Sequence, residues 1–326
     1  MTDALPLRLG ASGDAVLDVQ RRLARLGYDV SDDQSGTFGT ATEQAVRAFQ
    51  EARGLRVDGI FGPQSWGSLV EAGYRLGDRL LYLRSPMLRG DDVSELQDGL
   101  GRLGFDAGRV DGIFGARTVA ALEAFQRNAG LTVDGVAGPD SIAALRRVVR
   151  PDAGSPVAEV REAQQMRDAP RQLDGRRIGI GETGGVAALA DAVGRALVEA
   201  GAVVAVLHHP DESVQADEAN SFGAEAFVSL AVRSEPGCGA AFYAARGFSS
   251  IGGRRLAELV LDELGDGLFT DAAPPQGMQL PILRETRMAA VVCEFGPPGQ
   301  VVEHTGELAR AVARALSRWA FEPVNP

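Results

Sequence analysis

Residues 111–126 read Asp111-Gly112-Ile113-Phe114-Gly115-Ala116-Arg117-Thr118-Val119-Ala120-Ala121-Leu122-Glu123-Ala124-Phe125-Gln126, and the pattern returns upstream in the same chain. Asp111-Gly112 is turn chemistry: the Asp side chain closes an Asx hydrogen bond and Gly accepts a positive φ. Thr118, Ala121, Leu122 and Phe125 follow at helical spacing, and the predicted helix stops at Gly130, before a second turn at Val133-Asp134-Gly135. A third helix, roughly Ser141 to Val148, follows Gly138-Pro139-Asp140.

Upstream, Ser35-Gly36-Thr37-Phe38-Gly39 stands where Asp111 to Gly115 stand, so the first copy lacks the Asp of the first turn. Thr42, Ala45, Phe49, Gln50, Gly54 and Leu55 match Thr118, Ala121, Phe125, Gln126, Gly130 and Leu131. Val16, Gln20, Leu23, Leu26, Gly27 and Tyr28 match Val93, Gln97, Leu100, Leu103, Gly104 and Phe105. Each copy closes with Val-Asp-Gly and Gly-Pro, at Val57 to Gly59 with Gly62-Pro63 and at Val133 to Gly135 with Gly138-Pro139. Aligning Leu7-Arg8-Leu9-Gly10 with Met87-Leu88-Arg89-Gly90 gives two three-helix repeats, over about residues 7–72 and 86–148. The Asp-Gly-Ile-Phe-Gly, Phe-Gln and Val-Asp-Gly blocks resemble the three-helix peptidoglycan-binding domain that often accompanies wall hydrolases. The resemblance implies an all-α fold and a muropeptide or peptidoglycan-fragment ligand, although most of the signature residues are expected to specify turns and core.

Beyond Arg150-Pro151-Asp152-Ala153-Gly154-Ser155-Pro156, a breaker-rich linker, the pattern changes. Val157 to Arg167 is a charged helical connector. Strands are expected at Ile178 to Ile180, Val203 to Leu207, Ala226 to Leu230, Gly239 to Ala245 and Ala289 to Phe295. Helices are expected at Val186 to Ala200, Ser250 to Leu264 and Val301 to Phe321. This alternation indicates an α/β domain with a mainly parallel sheet covered by helices on both faces. The expected division is 1–75 and 83–150 for the repeats, 151–173 for the linker and 174–322 for the α/β domain. Sites in such sheets form beyond the carboxyl ends of the strands. Those ends are Gly181 to Thr183, His208 and His209, Ala231 to Ser234, and Glu294.

Composition narrows the function classes. The 326 residues carry 33 basic and 44 acidic side chains, a net charge of -11. A nucleic-acid or anionic-membrane partner needs a concentrated basic face, and no basic block supplies one. The first residues lack a basic and then apolar leader, and Val186 to Leu207 carries Asp191, Arg195 and Glu199 at helical spacing. No membrane span is expected, and a cytoplasmic location is. Two cysteines, Cys238 and Cys293, are expected as free thiols. A monomer is expected.

The stretch Leu280-Pro281-Ile282-Leu283-Arg284-Glu285-Thr286, followed by the strand ending Val292-Cys293-Glu294-Phe295-Gly296, resembles the end of zinc N-acetylmuramoyl-L-alanine amidases. In that family His, Glu and His hold zinc, and a strand-end Glu is general base for a metal-bound water, with one open coordination position. By resemblance Glu294 matches the general base. Thr183 stands where the first ligand His belongs and Ala231 where the second belongs. Gly185 runs directly into a helix where the family inserts its ligand Glu. A rebuilt site from Glu182, His209 and Glu294 is the alternative, with His208 set aside as pointing to the other face of its strand, and His304 expected on the last helix. No active catalytic residue and no cofactor are therefore expected, zinc entering only with the alternative. The layout, including Tyr74-Arg75-Leu76-Gly77-Asp78-Arg79-Leu80-Leu81-Tyr82 between the repeats, resembles the actinobacterial CwlM-type pseudo-amidases. That resemblance implies a cytoplasmic regulator of peptidoglycan precursor synthesis that binds the enolpyruvyl transferase of the first committed step, under control by serine/threonine kinases.

Overall fold

A computed structural model describes residues 5–149, 157–245, 247–265 and 273–322. The chain divides into two compact units, residues 1–158 with 246–248 and residues 159–245 with 249–326. The breaker-rich segment Arg150 to Pro156 lies outside the described residues.

The first unit holds α1 (Asp14–Arg25), α2 (Thr40–Ala52) and α3 (Pro63–Glu71), then α4 (Asp91–Arg102), α5 (Ala116–Asn128) and α6 (Pro139–Val148). The apolar stripes close two cores: Val16, Val19, Leu23, Val46 and Phe49 in the first, Val93, Leu96, Leu100, Leu122 and Phe125 in the second. Tyr28 meets Phe49 edge-on at 5.8 Å, and Phe105 meets Phe125 in the same way at 5.8 Å. Each such pair is worth about 1 kcal/mol beyond the area it buries.

Within each repeat a buried glutamine locks each of the two turns between helices. Gln50 donates from Nε2 to Asp58 Oδ1 (2.8 Å), the Ile60 carbonyl (3.0 Å) and Ser65 Oγ (3.2 Å), while its Oε1 accepts from the Gly59 N–H (2.9 Å). Gln126 does the same with Asp134, Val136, Ser141 and Gly135, and Gln97 with Asp111, Ile113, Thr118 and Gly112. Gln20 repeats it with Thr37, Thr42 and Gly36, but Ser35 removes the carboxylate, and the fourth contact becomes a 3.5 Å bond to the Gln34 carbonyl. Nearby, Asp33 accepts from the N–H groups of Gly39 and Thr42, fastening the start of α2. Each repeat is thus two half-repeats, each built on one amide.

The repeat alignment needs correction at its start. Gly13 and Gly90 are the equivalent residues, both preceding a first helix with positive φ, 122° and 157°. Leu7 bridges Phe61 as Leu81 bridges Ala137. Leu76 and Leu81 pack in the second core, so the second repeat begins before residue 83. Arg53 of the first repeat grips Asp91 of the second, donating from its two terminal guanidinium nitrogens at 2.6 and 2.8 Å.

The remaining elements are α7 (Val157–Asp168), β1 (Arg177–Glu182), α8 (Ala187–Glu199), β2 (Val203–His208), α9 (Glu212–Phe222), β3 (Ala226–Val232), β4 (Gly237–Ala245), β5 (Phe248–Ser249), α10 (Ile251–Gly265), β6 (Gln276–Met278), α11 (Pro281–Glu285), β7 (Ala289–Gly296), α12 (Pro298–Glu303) and α13 (Thr305–Phe321). The sheet runs β2-β1-β3-β7-β4-β5, with β6 also on β4. All its described pairs are parallel except β4 with β7. The sheet is thus mainly parallel, as expected, with one antiparallel pairing. One face, with Ile178, Ile180, Val228, Val291 and Phe242, packs into the large core with α8, α10 and α13. The other is covered by α9 and α11. Asn220 ties those two helices, donating to the Glu285 carbonyl (2.9 Å) and accepting from Arg287 N–H (2.9 Å).

Two sequence expectations change here. Residues 301–321 are not one helix: α12 ends at Glu303, and His304 caps α13 from outside, its Nδ1 3.1 Å from Glu307. The connector helix α7 does more than connect. Glu162 accepts from Ser250 Oγ (2.6 Å) and Ile251 N–H (3.2 Å), placing a carboxylate at the start of α10, where the helix dipole favours it.

Candidate functional site

The carboxyl ends of β1, β3 and β7 lie side by side, and the pleat decides which side chains can meet. Register partners share a face, and successive residues alternate. Glu182 is level with Leu230, and Leu230 with Cys293, so Glu182 belongs to the face of α8, α10 and α13. Ala231 is level with Glu294, on the opposite face, with Gly239 of β4 beside Glu294. Ala231 is buried and Glu294 half-buried. Thr183 is the first residue past β1, half-buried, and α8 begins only four residues later. The family-matched positions Ala231 and Glu294 are therefore neighbours, as the resemblance requires.

Glycines keep this rim low. A Cβ on Gly181 would overlap Gln215 Oε1 and the Phe227 ring, and one on Gly296 would overlap the carbonyl oxygens of Arg233 and Glu235. Gln215, fully buried on α9, donates to the carbonyls of Glu182 (2.8 Å) and His209 (2.5 Å). Its Oε1 has no hydrogen-bond partner among the described residues and occupies the space that a Cβ at position 181 would need.

The residues of the rebuilt set are not brought together. Glu182 turns away from Glu294, accepting from the Gly184 N–H (2.7 Å) and facing His208 Nδ1 at 3.1 Å. His208 reaches Asp191 of α8 with Nε2 at 3.3 Å. His209 has left the strand, and its Nδ1 accepts from the Asp211 N–H (3.0 Å). The histidine near Glu182 is thus His208, which the strand-alternation argument had set aside. Among the described residues no group of three His, Cys, Asp or Glu side chains gathers as a metal site. A zinc ion held by three protein donors does not fit the family-matched positions: a hydroxyl at Thr183, a methyl at Ala231 and one carboxylate at Glu294 are too few and too weak.

The His208 cluster has its own chemistry. The hydrogen bond to Glu182 raises the His208 pKa, burial opposes it, and Asp191 adds to the rise. A raised folded-state value contributes stability below the unfolded value of about 6.5, lost as pH climbs through the folded value. His208→Gln should therefore open a melting-temperature gap from the native chain at about pH 5.5 that closes by about pH 9. A gap independent of pH would show that the imidazolium is not formed. Cys238 and Cys293 are free and buried, and burial pushes both thiols up, so neither is a ready nucleophile at neutral pH.

The model of the putative peptidoglycan binding domain family matches residues 12–69 and 89–145. N-acetylmuramoyl-L-alanine amidase CwlM of Mycobacterium tuberculosis is 33% identical over 335 residues, covering 90% of this chain and 82% of that protein. N-acetylmuramoyl-L-alanine amidase CwlL of Bacillus licheniformis is 32% identical over 165 residues, covering 44% of this chain and 46% of its own length. Among solved structures, the N-acetylmuramyl-L-alanine amidase Ami1 from Mycobacterium smegmatis aligns over 46% of this chain and 98% of its own, with 14% identity and a TM-score of 0.41. No helix among the described residues is long and apolar enough to cross a membrane. Similarity sustained along nearly the whole chain is decisive: this protein belongs to the CwlM family, in which peptidoglycan-binding repeats precede an N-acetylmuramoyl-L-alanine amidase-like domain.

Proposed function

We propose that this chain is a non-catalytic, cytoplasmic regulator of cell-wall biosynthesis, a pseudoenzyme that acts by protein–protein contact on peptidoglycan precursor synthesis. The enolpyruvyl transferase that commits material to the pathway is the proposed partner. One observation carries this reading: Thr183, Ala231 and Glu294 offer a single carboxylate where the reaction needs three metal donors and a base. Without the cation there is no agent to lower the pKa of water to about 7. The repeats supply a second surface, for muropeptide or peptidoglycan fragments. The competing reading, a zinc amidase, draws on the names its relatives bear.

Purified full-length protein, loaded with zinc and dialysed, should retain no stoichiometric metal and release no peptide from a muramyl-peptide. Glu294→Gln should leave capture of the transferase from cytosol unchanged. One zinc per chain, with turnover abolished by Glu294→Gln, would establish the amidase instead.

A further inference from the structure

β2 ends the sheet, and no described strand pairs with its outer side. The register to β1 and the bond from Val203 N–H to the Arg176 carbonyl (2.9 Å) fix which backbone groups point inward. Val203, Ala205 and Leu207 bond to β1, so the N–H and C=O groups of Val204 and Val206 point away from the sheet. None of these four groups has a hydrogen-bond partner among the described residues. β2 reads Val203-Val204-Ala205-Val206-Leu207-His208, and from Val203 to Leu207 it carries no charge, proline or glycine. Edge strands of monomers are normally blunted by such residues, because a bare apolar edge templates pairing.

The spacing is also self-complementary. Turn a second copy about a twofold axis through Ala205, and Val204 of each copy lies opposite Val206 of the other. Those are the outward-bonding residues, so each pair closes two N–H···O=C bonds, four in all. Ala205 meets Ala205 between them as a non-hydrogen-bonded pair, where Cα atoms approach to about 4.5 Å and a small side chain suits the axis. Val203, half exposed at 49%, falls opposite Leu207. The one ionisable residue of the strand, His208, lies beyond the paired stretch and faces Glu182 and Asp191 of its own chain. We infer that β2 is a homodimerisation edge, joining two copies through antiparallel β2 strands into one continuous sheet. It stands against the monomer expected from the sequence.

The test uses the full chain. Sedimentation equilibrium should give twice the chain mass. Val204→Pro removes an outward N–H that β1 does not use, and should give a monomer of nearly unchanged melting temperature. Ala205→Cys should form a disulfide-linked dimer under mild oxidation, because the pair at the axis is close, whereas Val204→Cys should not. The native thiols are buried and give no background. A native chain that stays monomeric up to its solubility limit, or dimers that persist in Val204→Pro with no cross-link through Ala205→Cys, would overturn the inference.

Discussion

Gln50→Leu should unfold the first repeat at a temperature lower by about 10 °C or more. The substitution keeps the volume and removes only the amide. Gln50 is 2% exposed, and its bonds to the Gly59 N–H and the Ser65 hydroxyl are themselves buried. Both groups would be stranded without water, at about 1–3 kcal/mol each. Asp58 and the Ile60 carbonyl lie nearer the surface and can turn to solvent, so the expected cost is about 3 kcal/mol. In a domain of this size each kcal/mol moves the midpoint by about 4–8 °C. Hydrogen exchange should show protection lost chiefly across α1 to α3. A shift of less than about 3 °C would mean the turns hold their shape without the amide.

Gly296→Ala should produce the largest loss in the α/β unit. The new methyl would be driven into two backbone carbonyls, of Arg233 and Glu235, which cannot swing aside as a side chain can. Overpacking of this kind costs about 3 kcal/mol, and about 2–4 °C follow from each kcal/mol at this domain size. Gly299→Ala is the control: its Cβ meets nothing within 4 Å and it lies in α12, so it should be neutral or slightly stabilising. Equal melting temperatures for the two variants would refute the packing argument.

What was legible in the sequence follows physical lines. Apolar stripes with Gly stops gave the repeat helices, and β-branched runs gave five of the seven described strands within a residue or two, while the two- and three-residue β5 and β6 carry no such run. Glu294 was placed at a strand end because the whole of β7 is apolar up to it. Helix α9 was missed because its sequence, Glu212 to Phe222, has no large apolar period; it packs through Gln215, Ala216 and Ala219. The break at His304 carries no Gly or Pro and interrupts an otherwise helical pattern. The rim was half legible. Spacing along one strand says nothing about pleat phase relative to another, so only the register revealed that Glu182 and Glu294 face apart. His208 was set aside because His209, treated as a strand residue, already lies beyond β2.

Each locking glutamine directs its amide into its own turn, donating and accepting among atoms of the same half-repeat. The glutamines by which such repeats are recognised therefore report first on how the turns fold. A copy could lose every trace of carbohydrate binding while its signature stayed intact, and natural selection on stability alone would keep it so.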